Sequence, residues 1–118
     1  MKEQNEVLRM LADWGVSLKE TMERFLNDEE FYLECLSDFM QDENLELLNR
    51  ALQNKDYNAA FDAAHTLKGV AGNLGLTPLF EKIVEIVEAL RRGDYSNLDK
   101  QYASIVTAMN ELKSFIGE

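Results

Sequence analysis

At 118 residues with 46% apolar content, the chain is long enough to bury one compact core and leaves no length for a second domain, so residues 1–118 are read as a single domain. Twenty-two acidic against twelve basic side chains leave a formal charge of −10, which opposes binding to nucleic-acid backbones and to anionic membranes. One cysteine, Cys35, and one histidine, His65, exclude an internal disulfide and any structural metal site of ordinary ligand spacing, and they point to a reducing, cytoplasmic setting. The start, Met1-Lys2-Glu3-Gln4-Asn5-Glu6, is too charged for a secretory signal, and no apolar run approaches the roughly 20 residues that cross a bilayer.

The only proline is Pro78, and outside the cluster at 69, 72 and 75 the glycines fall where the apolar period breaks. This predicts an all-helical chain. A first helix is expected from about Glu3 to Ala12, stopping near Asp13-Trp14-Gly15. Ser17 with Glu20 has capping-box spacing and opens a second helix to about Leu26. Asn27 with Glu30 repeats that signal and starts a helix with apolar positions Leu33, Leu36, Met40, Leu47 and Ala51. One long helix to Gln53 is the preferred reading, with a break near Asp42-Glu43-Asn44 as its alternative. This segment is acidic: from Asp28 to Asn49 there are eight carboxylates and no basic residue, either a solvated helix face or a surface for a basic partner.

After Asn54-Lys55-Asp56, a helix carries Tyr57, Ala60, Phe61, Ala64, Leu67, Ala71 and Leu74 at three- and four-residue steps, a stripe that must face a core. Gly75 is placed for a left-handed cap followed by Leu76, and Thr77-Pro78 reads as N-cap and first helical position. The next helix runs from about Pro78 to Arg92, presents Leu79, Ile83, Ile86, Val87 and Leu90, and ends at Gly93 with Arg91 and Arg92 at its negative dipole end. A last helix begins at Ser96 and carries Leu98, Tyr102, Ile105, Met109, Leu112 and Ile116. Short connections favour antiparallel neighbours, so the expected architecture is an up-and-down four-helix bundle with additional N-terminal helices.

His65 lies off the apolar stripe. Helical spacing puts Asp62, Lys68, Gly69 and Gly72 on its own strip, bordering the core. Each mid-helix glycine costs roughly 1 kcal/mol relative to alanine, so this pair requires an offsetting gain. Close helix packing is one candidate; clearance around the imidazole for an incoming protein is the other, and the adjacent histidine and lysine favour it. Neutral imidazole is a competent phosphoryl acceptor near neutral pH, and the Lys68 ammonium supplies a counter-charge for an anion. The chain has no phosphate-binding glycine loop, no second histidine for a triad, and a single cysteine on the apolar side of an acidic helix, where a structural role fits better than a nucleophilic one. What remains is half of a reaction, with metal and activating groups left to a partner.

The stretch His65-Thr66-Leu67-Lys68-Gly69, followed by Gly72 and Leu74-Gly75, resembles the signature of histidine-containing phosphotransfer (HPt) domains of bacterial two-component phosphorelays. The resemblance implies that His65 takes a phosphoryl group on its outer ring nitrogen, that Lys68 stabilises it, and that Gly69 and Gly72 clear space for the receiver domain of a response regulator. It implies a carrier without its own ATP or metal site and with no cofactor, the Mg²⁺ and the aspartate belonging to the receiver. A sensor or hybrid histidine kinase is the other implied partner. Some family members place a glutamine on the following helix near the ring; counting from Gly75, the matching position here is Val87. The expected protein is a free-standing monomer forming a transient interface on the small side of about 1,200 Å². Two other readings stand beside it: an adaptor with the HPt fold and no phosphotransfer chemistry, and a small hydrolase using His65 as base.

Overall fold

In the computed structural model, which describes residues 3–117, the described residues form seven helices and no strand. They are α1 (Gln4–Trp14), α2 (Leu18–Arg24), α3 (Glu29–Met40), α4 (Asn44–Gln53), α5 (Tyr57–Asn73), α6 (Thr77–Arg91) and α7 (Leu98–Phe115). The expected all-α bundle is present. Helices α4, α5, α6 and α7 pack successively against one another, and α1 lies against α7, where the Trp14 and Phe115 rings meet edge to face at 5.6 Å.

The core follows the predicted stripes closely on the C-terminal side. Ala60, Ala64, Leu67, Ala71 and Leu74 of the α5 segment are buried, as are Leu79, Ile83, Ile86, Val87 and Leu90 of α6 and Leu98, Ile105, Met109 and Leu112 of α7. Tyr57, Phe61, Tyr102 and Ile116 border that core, half-buried.

The preferred single helix from Asn27 to Gln53 is replaced by two. The Asp42 Oδ1 carboxylate oxygen accepts hydrogen bonds from both the backbone N and the side-chain Nδ2 of Asn44, each 2.7 Å. A side chain that satisfies local backbone donors in this way competes with the helical ladder and restarts it. The break also changes which leucine faces inward. Leu48 is fully buried, whereas Leu47, expected inside, is 38% exposed. The two halves still run beside α5 in order: the Tyr32 hydroxyl of α3 donates to the Leu74 carbonyl at the far end of α5, and α4 packs along α5 itself.

Helix starts differ from expectation where capping residues compete. Asp28, not Asn27, caps α3, its Oδ1 accepting from the Phe31 N–H at 3.0 Å, while Leu26 and Asn27 form a left-handed turn. Ser17 occupies the N-cap of α2 without a side-chain bond, so its predicted capping box is not formed. Leu76 takes the N-cap of α6 and Thr77 begins the helix. Ser96 precedes α7 rather than starting it, because its N–H and hydroxyl both donate to Asp94 Oδ1, at 3.1 and 2.6 Å. Those bonds, helped by Arg92, hold the Asp94 carboxyl below its ordinary pKa.

Gly75 performs as expected. At φ +70° it carries the backbone through the left-handed region, with its N–H donating to the Gly72 carbonyl and the Leu76 N–H to the Ala71 carbonyl. This pair of bonds is the Schellman closure of α5, and it sends the chain back as α6.

Candidate functional site

His65 is exposed on the outer face of α5, two residues before the buried Leu67 and one after the buried Ala64. Its imidazole leans on the ring of Phe61, one turn earlier, with centroids 5.7 Å apart and planes inclined by 31°. Helical side chains tilt toward the helix N-terminus, which is why the i, i−4 neighbour is the one that supports the ring. The Arg91 guanidinium of α6 lies over the same Phe61 ring at 5.3 Å and pairs with Glu88 at 3.3 Å. Phe61 is therefore wedged between α5 and α6. It restricts the imidazole on one side and leaves the other open.

On the open side the surface dips into a shallow depression lined by His65, Lys68, Gly69, Gly72 and Asn73 of α5, together with Phe80 of α6 and Arg24 of α2. The four α5 residues singled out by sequence thus border one feature. Asp62 is exposed on the same helix outside that lining. Lys68 is half-buried and makes no ion pair or hydrogen bond among the described residues.

The two glycines do different things. A Cβ built on Gly69 meets nothing within 4 Å, so that position is open surface. At Gly72 the same atom would sit 3.1 Å from Phe80 Cε1 and 3.3 Å from Cδ1. Gly69 thus leaves space above the helix, and Gly72 lets the Phe80 ring close against it. Close helix packing accounts for Gly72, while Gly69 needs a different reason, because its Cβ would meet only open space.

Beyond Gly72, α5 is held by residues far away in sequence. Arg24 donates from Nε to the Asn73 carbonyl at 3.1 Å and from Nη2 to the Gly72 carbonyl at 3.4 Å and to Thr21 Oγ1 at 3.3 Å. Tyr32 donates to the Leu74 carbonyl at 2.8 Å, and burial pushes its hydroxyl above the ordinary tyrosine range, only partly opposed by the Arg24 charge. A helix leaves its last carbonyls without intrahelical partners. Here Ala71, Gly72, Asn73 and Leu74 all find one.

Sequence reading passed over Arg24, Tyr32 and Phe80. Their contacts span up to 49 residues, and no local period encodes them. The support of His65 by Phe61 was visible in principle as an i, i+4 aromatic pair. Val87, matched by counting to the glutamine of some HPt domains, is fully buried and points into the core. Cys35 is half-buried in a cleft between α3 and α5, and its thiol is pushed above its ordinary pKa by burial and then by Asp38 and Glu34. That environment disfavours a thiolate nucleophile.

Such a fold and surface define a small helical module that presents one supported imidazole to solvent beside a cation and a bare stretch of backbone. The family model for the Hpt domain matches residues 32–115, well over half of the chain, and the chain belongs to that family. The match covers most of α3 and all of α4 to α7, with α1 and α2 outside it. No curated protein and no solved structure gives a significant match. Hpt domains are phosphoryl carriers rather than enzymes, with a role in two-component phosphotransfer that involves histidine kinases and response regulators. No helix among the described residues is long and apolar enough to cross a membrane.

Proposed function

We propose that this chain is a phosphorelay intermediate in which the outer ring nitrogen of His65 accepts a phosphoryl group and exchanges it with an aspartate of a response-regulator receiver domain. The observation that carries the reading is the exposed, Phe61-supported imidazole at a depression whose charged lining residues, among the described ones, are the cations Lys68 and Arg24. In the forward step the imidazole lone pair attacks the phosphorus of an aspartyl phosphate, the P–N bond forms, the P–O bond breaks, and the carboxylate leaves on the receiver. The receiver supplies Mg²⁺ and the aspartate; this chain supplies position.

Lys68, one turn past His65, balances the phosphoryl charge with a charge-assisted hydrogen bond. Gly69 leaves the helix surface bare where the receiver must come close. Phe61 limits the rotation of the ring, so less orientational freedom is lost on reaching the in-line geometry. A histidine kinase, sensor or hybrid, stands at the other end of the relay, and the chain acts as a cytoplasmic monomer. Incubation with phosphorylated receiver domains tests this directly: label transferred to the chain should be acid-labile, stable to base and absent from His65→Gln. A folded chain that takes no label from a broad set of receivers would refute it.

A further inference from the structure

Arg24 lines the His65 depression from α2, a helix outside the span matched by the family model. Among the described residues it is the one cation there besides Lys68, and His65 has no carboxylate beside it in the lining, although the chain as a whole carries a charge of −10. Its guanidinium is anchored: Nε and Nη2 are bonded to the carbonyls of Asn73 and Gly72 and to Thr21, while Nη1 has no partner among the described residues. A fork held this way is pre-oriented, and a free pair of N–H groups on an exposed side chain suits a carboxylate.

Distance assigns the role. The carbonyls that hold Arg24 lie seven and eight residues beyond His65, a rise of roughly 10 Å along the helix, and the imidazole leans the other way, toward Phe61. Arg24 is thus anchored about two helical turns past His65, where a docking contact is its natural role. Between the two cations the floor is Gly69 and Gly72, with nothing standing above Gly69. A protein that brings an acceptor aspartate to His65 must lay its surface along this floor, and its rim then passes over Arg24.

We propose that Arg24 is a positioning residue that docks a carboxylate on the rim of the incoming receiver domain, making α2 part of the working surface; this rests on the phosphotransfer reading above. The acidic surface elsewhere repels an acidic partner, so a cationic pair flanking the imidazole selects both the place and the angle of approach. The same contact explains why the guanidinium is fixed by neutral acceptors, two backbone carbonyls and the Thr21 hydroxyl, rather than by a carboxylate: the charge is held without being neutralised.

The test is steady-state transfer to the full chain from a phosphorylated receiver domain that labels it, with receiver concentration varied at low and high salt. Arg24→Gln should raise KM about fivefold, the scale of one exposed ion pair, leave kcat within about twofold and flatten the salt dependence of KM. Arg24→Lys, which keeps the charge but not the fork, should recover most of the loss. Thermal unfolding and phosphorylation of His65 by phosphoramidate, which needs no docking, should be the same in Arg24→Lys and Arg24→Gln. Equal KM values for Arg24→Gln and the unaltered chain overturn the proposal. So does an equal defect in both variants, or a parallel fall in phosphoramidate labelling, since either outcome marks Arg24 as a helix cap alone. If no phosphorylated receiver labels the unaltered chain, the phosphotransfer reading itself fails and takes the docking role with it.

Discussion

Replacing Gly69 with alanine should make the protein more stable and a worse phosphotransfer partner. Glycine in a helix interior costs roughly 1 kcal/mol relative to alanine through backbone entropy and lost side-chain contact. At Gly69 nothing lies within 4 Å of the added Cβ, so no clash offsets that gain. The expected change is about 0.5–1 kcal/mol of added stability, read as an unchanged urea m-value with a higher midpoint and a Tm raised by about 2–5 °C. The added methyl stands on the bare floor one turn from His65. A displacement of the reacting groups by about 1 Å can cost 100-fold in rate, so transfer from a phosphorylated receiver should fall by at least about tenfold. Gly72→Ala is the internal comparison, because its Cβ would meet Phe80 at 3.1 Å. There the ring must give way by a few tenths of an ångström, the propensity gain is largely cancelled, and stability should stay within about 0.5 kcal/mol of the original. Clearance above Gly69 is refuted as the reason for that glycine if Gly69→Ala transfers at an unaltered rate, or if it destabilises the fold.

Three further outcomes follow from the packing. Tyr32→Phe leaves the buried Leu74 carbonyl without its donor and should cost about 1–2 kcal/mol. Because the Tyr32 hydroxyl is raised in the folded state, its contribution is fully present below the unfolded tyrosine value near 10 and is lost as pH climbs from there toward the folded value; alkaline unfolding midpoints of Tyr32→Phe should fall less steeply above about pH 10 than those of the unaltered chain. Leu48→Ala should cost about 2–5 kcal/mol in chemical denaturation, whereas Leu47→Ala should stay within about 1 kcal/mol, the reverse of what an unbroken helix through Asp42 requires.

Much of the bundle was legible because its C-terminal helices obey one rule at a time. In α5, α6 and α7 the apolar stripe, the glycine stops at 75 and 93 and the proline at 78 all agree, and the observed core contains most of those stripes, with Tyr57, Phe61, Tyr102 and Ile116 at its border. The acidic segment was harder. Between Asp28 and Asn54 the apolar spacing tolerates either one helix or two, and the decision falls to two hydrogen bonds from Asn44 to a single carboxylate. Such a side-chain competition shifts the helical phase by one residue, which is enough to exchange Leu47 for Leu48 at the core. The capping box at Ser17 failed for a related reason: the pattern names residues able to cap and cannot say whether the local φ and ψ bring them together.

The candidate site divides along the same line. His65, Lys68, Gly69 and Gly72 share one helix, so a 3.6-residue period suffices to bring them together. What fixes that helix end does not share it. Arg24, Tyr32 and Thr21 come from α2 and α3, and they meet the last turn of α5 only because Leu26 and Asn27 reverse the chain through the left-handed region, with the Phe25 and Tyr32 rings packed edge to face at 5.1 Å beneath the turn. Thr21, fully buried, fills the space against Gly75 that any side chain there would need. The glycine at 75 is therefore required twice, once by its backbone angle and once by its neighbour. Without these contacts the Schellman bonds would still satisfy the Ala71 and Gly72 carbonyls, but the Asn73 and Leu74 carbonyls would lose their protein partners and the end of α5 would be held less firmly. The N-terminal helices are then more than a cover over the bundle: they hold rigid the floor beside which the imidazole stands.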